Sequence, residues 1–276
     1  MTIIEKYPFP RGKELPPQSP LYWVHHKDRY LRQLLIQDIE VETKRELVVY
    51  FTDCSTNAQI DFSDDIYLIE LLGSLNKKEV DLLLETNGGY TDATEKVVSI
   101  LKPFSKNLRV IIPRRAKSNG TVIALSGKSI LVGPNSELGP IDPFITLGPG
   151  QLVPADFILK SSNVDPIVNQ VAKSAMNQTK KLATSVLKEG MLKDKNKDEI
   201  NKIVDKISSR DHYHSHGSVI DADEAKGLGL NIEFLSEDDQ LWKKIWLLRT
   251  MCEYDCKAGK ISKLFESRKI SSSVSL

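Results

Sequence analysis

Apolar positions along the chain follow two rhythms. Leu31, Leu34, Leu35 and Ile39 recur at spacings of three and four, which predicts an amphipathic helix over 21–40. Three short apolar runs come next: LVVYF at 47–51, VDLLLE at 80–85 and LRVIIP at 108–113. Each leads into a helix-like stretch, DDIYLIELLGSL, TDATEKVVSILK and SNGTVIALSG in turn. Apolar runs this short, alternating with helices, are the signature of strands covered on both faces. The middle of the chain therefore predicts an α/β fold with a largely parallel sheet and flanking helices. In such a sheet, functional loops lie at the strand C-termini.

The pattern turns helical after a Gly- and Pro-dense connection over 133–154. Val168, Val171, Ala172, Ala175, Met176, Thr179, Leu182, Ala183, Val186 and Leu187 form one stripe, on a helix that Asp165 caps and Pro166 opens. A charged helix at 195–207, a short glycine-stopped helix with a final strand over 221–235, and a Trp-bearing helix near 241–252 complete the reading. The Pro-broken start, 1–20, reads as an arm, and 261–276, ending in ISSSVSL, reads as a flexible tail. A single domain over 21–260 with helical decorations is expected.

Composition narrows the function classes. Of 276 residues, 40% are hydrophobic and 27% charged, the balance of a soluble globular protein, and a net charge of +1 gives no global case for a nucleic-acid partner. The cluster Arg114, Arg115 and Lys117 reads as a solvated loop. Three cysteines, Cys54, Cys252 and Cys256, are too few for a disulfide framework and favour a reducing compartment. The helical spacing of Cys252 and Cys256 reads as packing on one helix face. With no secretory h-region and no apolar run of the ~18 to 20 residues that a spanning helix needs, no transmembrane segment is expected and a cytoplasmic protein is the simplest reading.

Two strand ends carry unusual residues. Thr86-Asn87-Gly88-Gly89 leads into a helix, so uncrowded backbone N–H groups there can hold developing negative charge; a tight turn needing positive φ explains the glycines equally. Ser118 sits where either an N-cap or a nucleophile on a strand-to-helix turn would sit. A cap contributes about 1 kcal/mol and is the commoner use, so the local pattern favours it until an independent feature supports a nucleophile. A nucleophilic serine needs a base within hydrogen-bond reach. His212, His214 and His216 alternate along HYHSHG and would share one face of an extended strand, either as a metal site lacking a fourth ligand or as a solvated, substrate-lining segment. Lys173 lies at the border of the 168–187 stripe, where partial burial would lower its pKa; a snorkelling surface lysine is the alternative, and Lys180 lies near the same border.

Three segments together, LLLETNGGYTDATEKVVSIL, AKSNGTVIALSGKSILVGPNSELGPIDP and YHSHGSVIDADEAKGLGL, resemble the serine dehydrogenase proteinase family. That family is a branch of the serine peptidases related to Clp protease and signal peptide peptidase A. The resemblance spans 47–235. It implies a Clp/crotonase-like spiral of ββα units, Ser118 as nucleophile, and an oxyanion hole from Gly88 or Gly89 with the N–H of Asn119. It also implies a base from Lys173 on the downstream helix, neutral through burial. It implies a peptide or unfolded protein segment as substrate, no metal or organic cofactor, and a homo-oligomer, for which the Trp242 and Trp246 helix offers an apolar face that core packing explains equally. Asn87 stands where the family commonly has proline. Asn119 stands where a small residue usually follows the serine, which is expected to narrow the substrate or to mark an inactive member. Two rival readings keep the fold: acyl-CoA-type hydrolase or isomerase chemistry, and a catalytically inactive scaffold.

Overall fold

The computed structural model describes residues 18–76, 79–104 and 106–276. Nearly all of the arm expected over 1–20 lies outside them. The predicted N-terminal helix is two helices, α1 (Pro20–His25) and α2 (Lys27–Thr43), which meet at His26. The three apolar runs are β1 (Glu46–Thr52), β2 (Val80–Glu85) and β3 (Leu108–Ile112), with α3 (Asp64–Gly73) and α4 (Thr91–Leu101) between them. Then come β4 (Arg115–Ala116), α5 (Asn119–Leu125), β5 (Ser129–Val132) and β6 (Glu137–Leu138). The Gly- and Pro-dense connection contains a hairpin, β7 (Phe144–Gly148) and β8 (Gln151–Pro154), followed by α6 (Ala155–Lys160). The long apolar stripe is α7 (Pro166–Glu189), whose first amides donate to the Asp165 carboxylate as expected of a cap. The rest are α8 (Lys197–Ile207), α9 (Ala222–Gly227), β9 (Ile232–Phe234), α10 (Gln240–Gly259), β10 (Ile261–Ser267) and β11 (Ser271–Ser275).

Seven strands form the main sheet in the order β11-β10-β1-β2-β3-β5-β9, parallel from β1 to β9 and antiparallel at β10 and β11. Because side chains alternate along a strand, the continuous apolar runs feed two cores. Val48, Tyr50, Leu82, Leu84, Val110 and Ile112 pack with α3, α4, α5, α8 and the C-terminal half of α7. Leu47, Val49, Phe51, Leu83, Ile111 and Leu131 pack against α2 and α10. Trp242, Cys252 and Cys256 are buried in this second core, so the apolar face of α10 is accounted for within one chain. A small third cluster joins the β7–β8 hairpin to α6 and the start of α7.

A second, shorter ladder runs past the C-terminal ends of the main strands. Ile60 pairs with Gly89, Thr86 with Ala116, Ala116 with Leu138, and Leu138 with Ile220. Each long strand thus hands on to a short extended segment before the chain continues, which is the expected ββα spiral. The residues singled out from the sequence fall on this short ladder.

The flexible tail expected over 261–276 is corrected by the structure. β10 lies against β1 with Thr52 opposite Lys263 and Val48 opposite Ser267. Phe265 is fully buried, its ring 4.8 Å from both Tyr50 and Tyr67. The polar residues that made this segment read as solvated are paired inside the protein: Lys263 Nζ lies 2.6 Å from Asp64, and Glu266 is 2.7 Å from Arg32 Nε.

Candidate active site

The short ladder delivers the chain to Ser118. Thr86 N–H donates to Arg115 O (3.1 Å) and Lys117 N–H to Thr86 O (3.0 Å), fixing β4 beside the end of β2. Thr121 Oγ1, in the first turn of α5, bonds Ala116 O and Gly139 O, each at 2.8 Å. Between these anchors Ser118 adopts φ 53° and ψ −123°, a backbone conformation that costs a non-glycine residue on the order of 1–3 kcal/mol. Lys44 and Lys260, the two other non-glycine residues with positive φ among those described, are ordinary left-handed helix caps. The Ser118 side chain makes no capping hydrogen bond. The N-cap alternative, which needs extended backbone and a side-chain bond to the next amides, therefore does not describe this serine.

The glycine pair lies directly against it. Gly88 has φ 105°, and a Cβ there would fall 2.8 Å from Ser118 Cβ and 2.9 Å from Lys117 O, so positive φ and close approach both demand glycine. A Cβ on Gly89 would fall 2.3 Å from Ile60 O, because the Ile60 backbone clamps the loop by accepting from Tyr90 N–H and donating to Gly88 O. Gly88 N–H is taken up by Thr86 Oγ1 at 3.1 Å. The N–H groups of Gly89 and Asn119 bond no described residue.

Asn119 is buried, with its side-chain amide donating to Gly89 O at 2.6 Å and to Thr91 Oγ1 at 3.2 Å. The side chain expected to narrow the substrate site is instead turned inward as a brace between the serine turn and the glycine loop. Asn87 Nδ2 likewise holds the loop by donating to Cys54 O at 3.0 Å. Below the loop, Glu85 is buried and held by Arg249, with Nε and Nη2 at 2.8 and 2.7 Å from its two oxygens.

The basic cluster around Ser118 is neutralised locally. Arg115 and Lys117 both face Glu137, at 3.5 and 3.2 Å, and Arg114 approaches Glu85 and Glu253. Lys117 is buried, and its Nζ also donates to Leu138 O (3.1 Å) and Ser218 O (3.0 Å). Burial lowers its pKa, against the opposing pull of Glu137.

Lys173 makes no hydrogen bond to Ser118 or to any other described residue. It is exposed on α7, so among the described residues the burial expected to neutralise it is missing. Lys180 pairs with Asp205 at 2.8 Å. The three histidines do not form a shared strand face. They lie on turns and go to separate partners: His212 near Glu224 (3.7 Å), His214 to Arg210 O (3.3 Å) and His216 to Asp142. Among the described residues no group of three His, Cys, Asp or Glu side chains is arranged to hold a metal ion.

The Asp142 contact was not legible from local spacing, since its partner lies 74 positions away. Asp142 is buried; its Oδ1 is 2.9 Å from His216 Nδ1 and its Oδ2 accepts from Arg210 Nε at 2.6 Å. The ring of Phe144 meets the His216 ring edge-to-face at 4.8 Å. Both segments are fastened to the flanks of the serine turn: Ser218 O takes Lys117 Nζ, and Gly139 O takes Thr121 Oγ1.

No helix among the described residues is long and apolar enough to cross a membrane. Two uncharacterized proteins of Methanocaldococcus jannaschii are similar to this chain. One is 32% identical over 160 residues, covering 56% of this chain and 54% of the relative; the other is 30% identical over 157, covering 55% and 51%. The chain spans about half the length of these curated relatives. Among solved structures, a mutant of the membrane-bound stomatin-specific protease 1510-N is 18% identical with a TM-score of 0.44, covering 67% of this chain and 79% of that one. A ClpP1 mutant from Listeria monocytogenes is 16% identical with a TM-score of 0.47, covering 76% and 99%. Residues 56–245, well over half of the chain, match the profile of one family, and the protein belongs to the ClpP-like SDH-type serine proteinases.

Proposed function

We propose that this family member hydrolyses peptide bonds through Ser118, and the observation that carries the reading is the backbone of that serine. A side chain held at positive φ, uncapped, between a strand end and a helix start is presented outward by a turn that resists relaxing. A carbonyl carbon attacked by Ser118 Oγ would place its oxygen near the Gly89 and Asn119 amides, whose hydrogens have no partner among the described residues. These donors belong to backbone already fixed by the Ile60, Thr86 and Asn119 contacts, so little reorganisation is needed as charge develops. The substrate class proposed is a peptide or unfolded protein segment, in keeping with the serine proteinase family to which the chain belongs.

The proposed homo-oligomer rests on apolar side chains left exposed around the hairpin and the start of α7, among them Leu147, Leu152, Phe157, Ile167 and Val171. A second copy seated there would cover part of α7 and so offer a route by which Lys173 could lose water. Within a single chain no described residue covers it.

Fluorophosphonate labelling followed by peptide mapping tests the nucleophile. The label is expected on Ser118, and Ser118→Ala is expected to abolish both labelling and peptide cleavage. Cleavage by that variant at the wild-type rate would refute the reading.

A further inference from the structure

The glycine loop proposed to hold the oxyanion has two roots, and a buried ion pair stands under each. At the first, Glu85 ends β2 immediately before Thr86, whose Oγ1 takes the Gly88 N–H at 3.1 Å. At the second, Asp64 accepts the Asp61 N–H at 2.8 Å, next to Ile60, whose backbone clamps Gly88 and Tyr90. The cations of both pairs come from C-terminal elements, Arg249 from α10 and Lys263 from β10, beyond the stretch 56–245 that matches the family. We propose that Arg249 and Lys263 are positioning residues for the oxyanion loop, acting through Glu85 and Asp64; this rests on the Ser118 reading and extends it.

Stability alone does not account for these pairs. The side chains of Glu85 and Arg249 are 1% and 5% exposed, those of Asp64 and Lys263 0% and 7%. Taking two charges out of water costs about as much as their attraction returns, and apolar residues of equal volume commonly serve a fold as well or better. What an ion pair adds is fixed geometry. Arg249 meets both oxygens of Glu85, at 2.8 and 2.7 Å, and its guanidinium lies over the Phe51 and Trp246 rings at 5.9 and 5.4 Å, so the carboxylate is held in one orientation. Lys263 Nζ meets one oxygen of Asp64 at 2.6 Å, while the other accepts from Tyr50 Oη and the Asp61 N–H. The Asp64 carboxylate thus joins β1, β10 and the segment before α3 at one point. From that segment the path to the site runs through two hydrogen bonds: Ile60 N–H donates to Gly88 O at 2.8 Å, and Ile60 O accepts from Tyr90 N–H at 3.1 Å. The Gly89 amide lies between these anchors.

An oxyanion donor acts only if it is aimed at the place the charged oxygen will occupy, not at the ground-state carbonyl. A loop released at either root keeps its N–H groups but lets their direction drift. That weakens binding of the transition state and leaves binding of the substrate near its original strength. The two cations therefore bear on the rate of the chemical step without touching the reacting atoms.

The test uses the full chain and counts competent sites by the end point of fluorophosphonate labelling at Ser118, so that turnover of a fluorogenic peptide is read per labelled serine. Arg249→Lys keeps a cation at Glu85 and loses the two-point grip. Lys263→Met combined with Asp64→Asn removes both charges of the other pair and so leaves no bare charge buried. Each is expected to lower kcat per labelled site by roughly 10- to 100-fold with KM nearly unchanged. Binding of a peptide aldehyde, whose adduct with the serine places an oxygen at the oxyanion position, should weaken by the same factor. Binding of the matching uncleavable peptide alcohol should not move. Replacing the first pair whole, Glu85→Leu with Arg249→Met, should keep a cooperative melt near that of the wild type yet show the same loss of kcat. A purely structural role would reduce only the number of labelled sites. Wild-type kcat per labelled site at either pair would remove that cation from the assignment. Wild-type kcat at both, or an equal loss of alcohol binding, would overturn the proposal and leave the serine reading standing. Failure of the wild type to label at Ser118 would overturn both.

Discussion

The side-chain amide of Asn119 donates to the carbonyl oxygen of Gly89 at 2.6 Å, so the residue that follows Ser118 grips the loop carrying the second glycine. One side chain thus sets the distance between the two backbone amides proposed to hold the oxyanion. Asn119→Ala removes the bond and leaves Gly89 O without this donor. A neutral hydrogen bond contributes about 0.5–1.5 kcal/mol net, so stability should fall by about 1 kcal/mol. Activity should fall further, by about tenfold or more, because small displacements of oxyanion donors weaken the transition state steeply. Asn119→Ala with full cleavage activity and an equal loss of stability would show that the brace serves the fold alone.

The unusual backbone of Ser118 makes a prediction separable from chemistry. Glycine accepts φ 53° and ψ −123° with far less penalty than a residue bearing a Cβ. Ser118→Gly and Ser118→Ala should be equally inactive, yet the glycine variant should be the more stable of the two by about 1 kcal/mol in urea titrations, despite the greater chain entropy of glycine when unfolded. Equal midpoints, or a less stable glycine variant, would mean the turn is not strained.

Much of this architecture was legible before any coordinates. Runs such as LVVYF read as doubly covered strands because their residues do alternate between two apolar cores. The positions of Ser118, Gly88, Gly89 and Asn119 followed from strand-to-helix junctions and family resemblance, and the structure gathers all four. Other features depend on partners distant in the chain. β10 reads as polar because Lys263 and Glu266 are buried against Asp64 and Arg32, contacts that no local window contains. The Asp142–His216 pair is equally nonlocal. Lys173 is the converse case: a border position on a helical stripe is buried only if something packs over it, and within one chain no described residue does, which fits the alternative of a surface lysine.

The C-terminal strands should be indispensable. A chain ending at Gly259 would lose the buried Leu264 and Phe265, uncover Tyr50 and Tyr67, on which Phe265 stacks, and strip Asp64 and Arg32 of their buried partners Lys263 and Glu266. The apolar losses alone are about 1.5–3 kcal/mol per side chain, and each broken buried ion pair costs about 3–5 kcal/mol. Against a total stability of about 5–15 kcal/mol, such a chain should show no cooperative unfolding transition. Phe265→Ala grades the same effect, with an expected loss of about 3–5 kcal/mol. A truncated protein that melts like the full chain by circular dichroism would contradict the structural role of β10.

Lys117 supplies a pH signature. Burial lowers its pKa from 10.5, with Glu137 opposing the shift, so the folded protein binds this proton less tightly than the unfolded chain does. Over the interval between the lowered value and 10.5 the unfolded state therefore carries more protons, and stability must rise with pH. The penalty for the buried ammonium is fully present at lower pH and is relieved as pH climbs through the folded value. Lys117→Met abolishes this term while taking the Nζ donor from Ser218 O and from Leu138 O, which keeps the Ile220 N–H, at about 1–3 kcal/mol near neutrality. Subtracting the stability of the variant from that of the wild type cancels the other titrating groups, provided their own pKa values are unchanged. The difference should slope upward with alkaline pH; a flat or falling difference would show that the ion pair with Glu137 outweighs the loss of hydration.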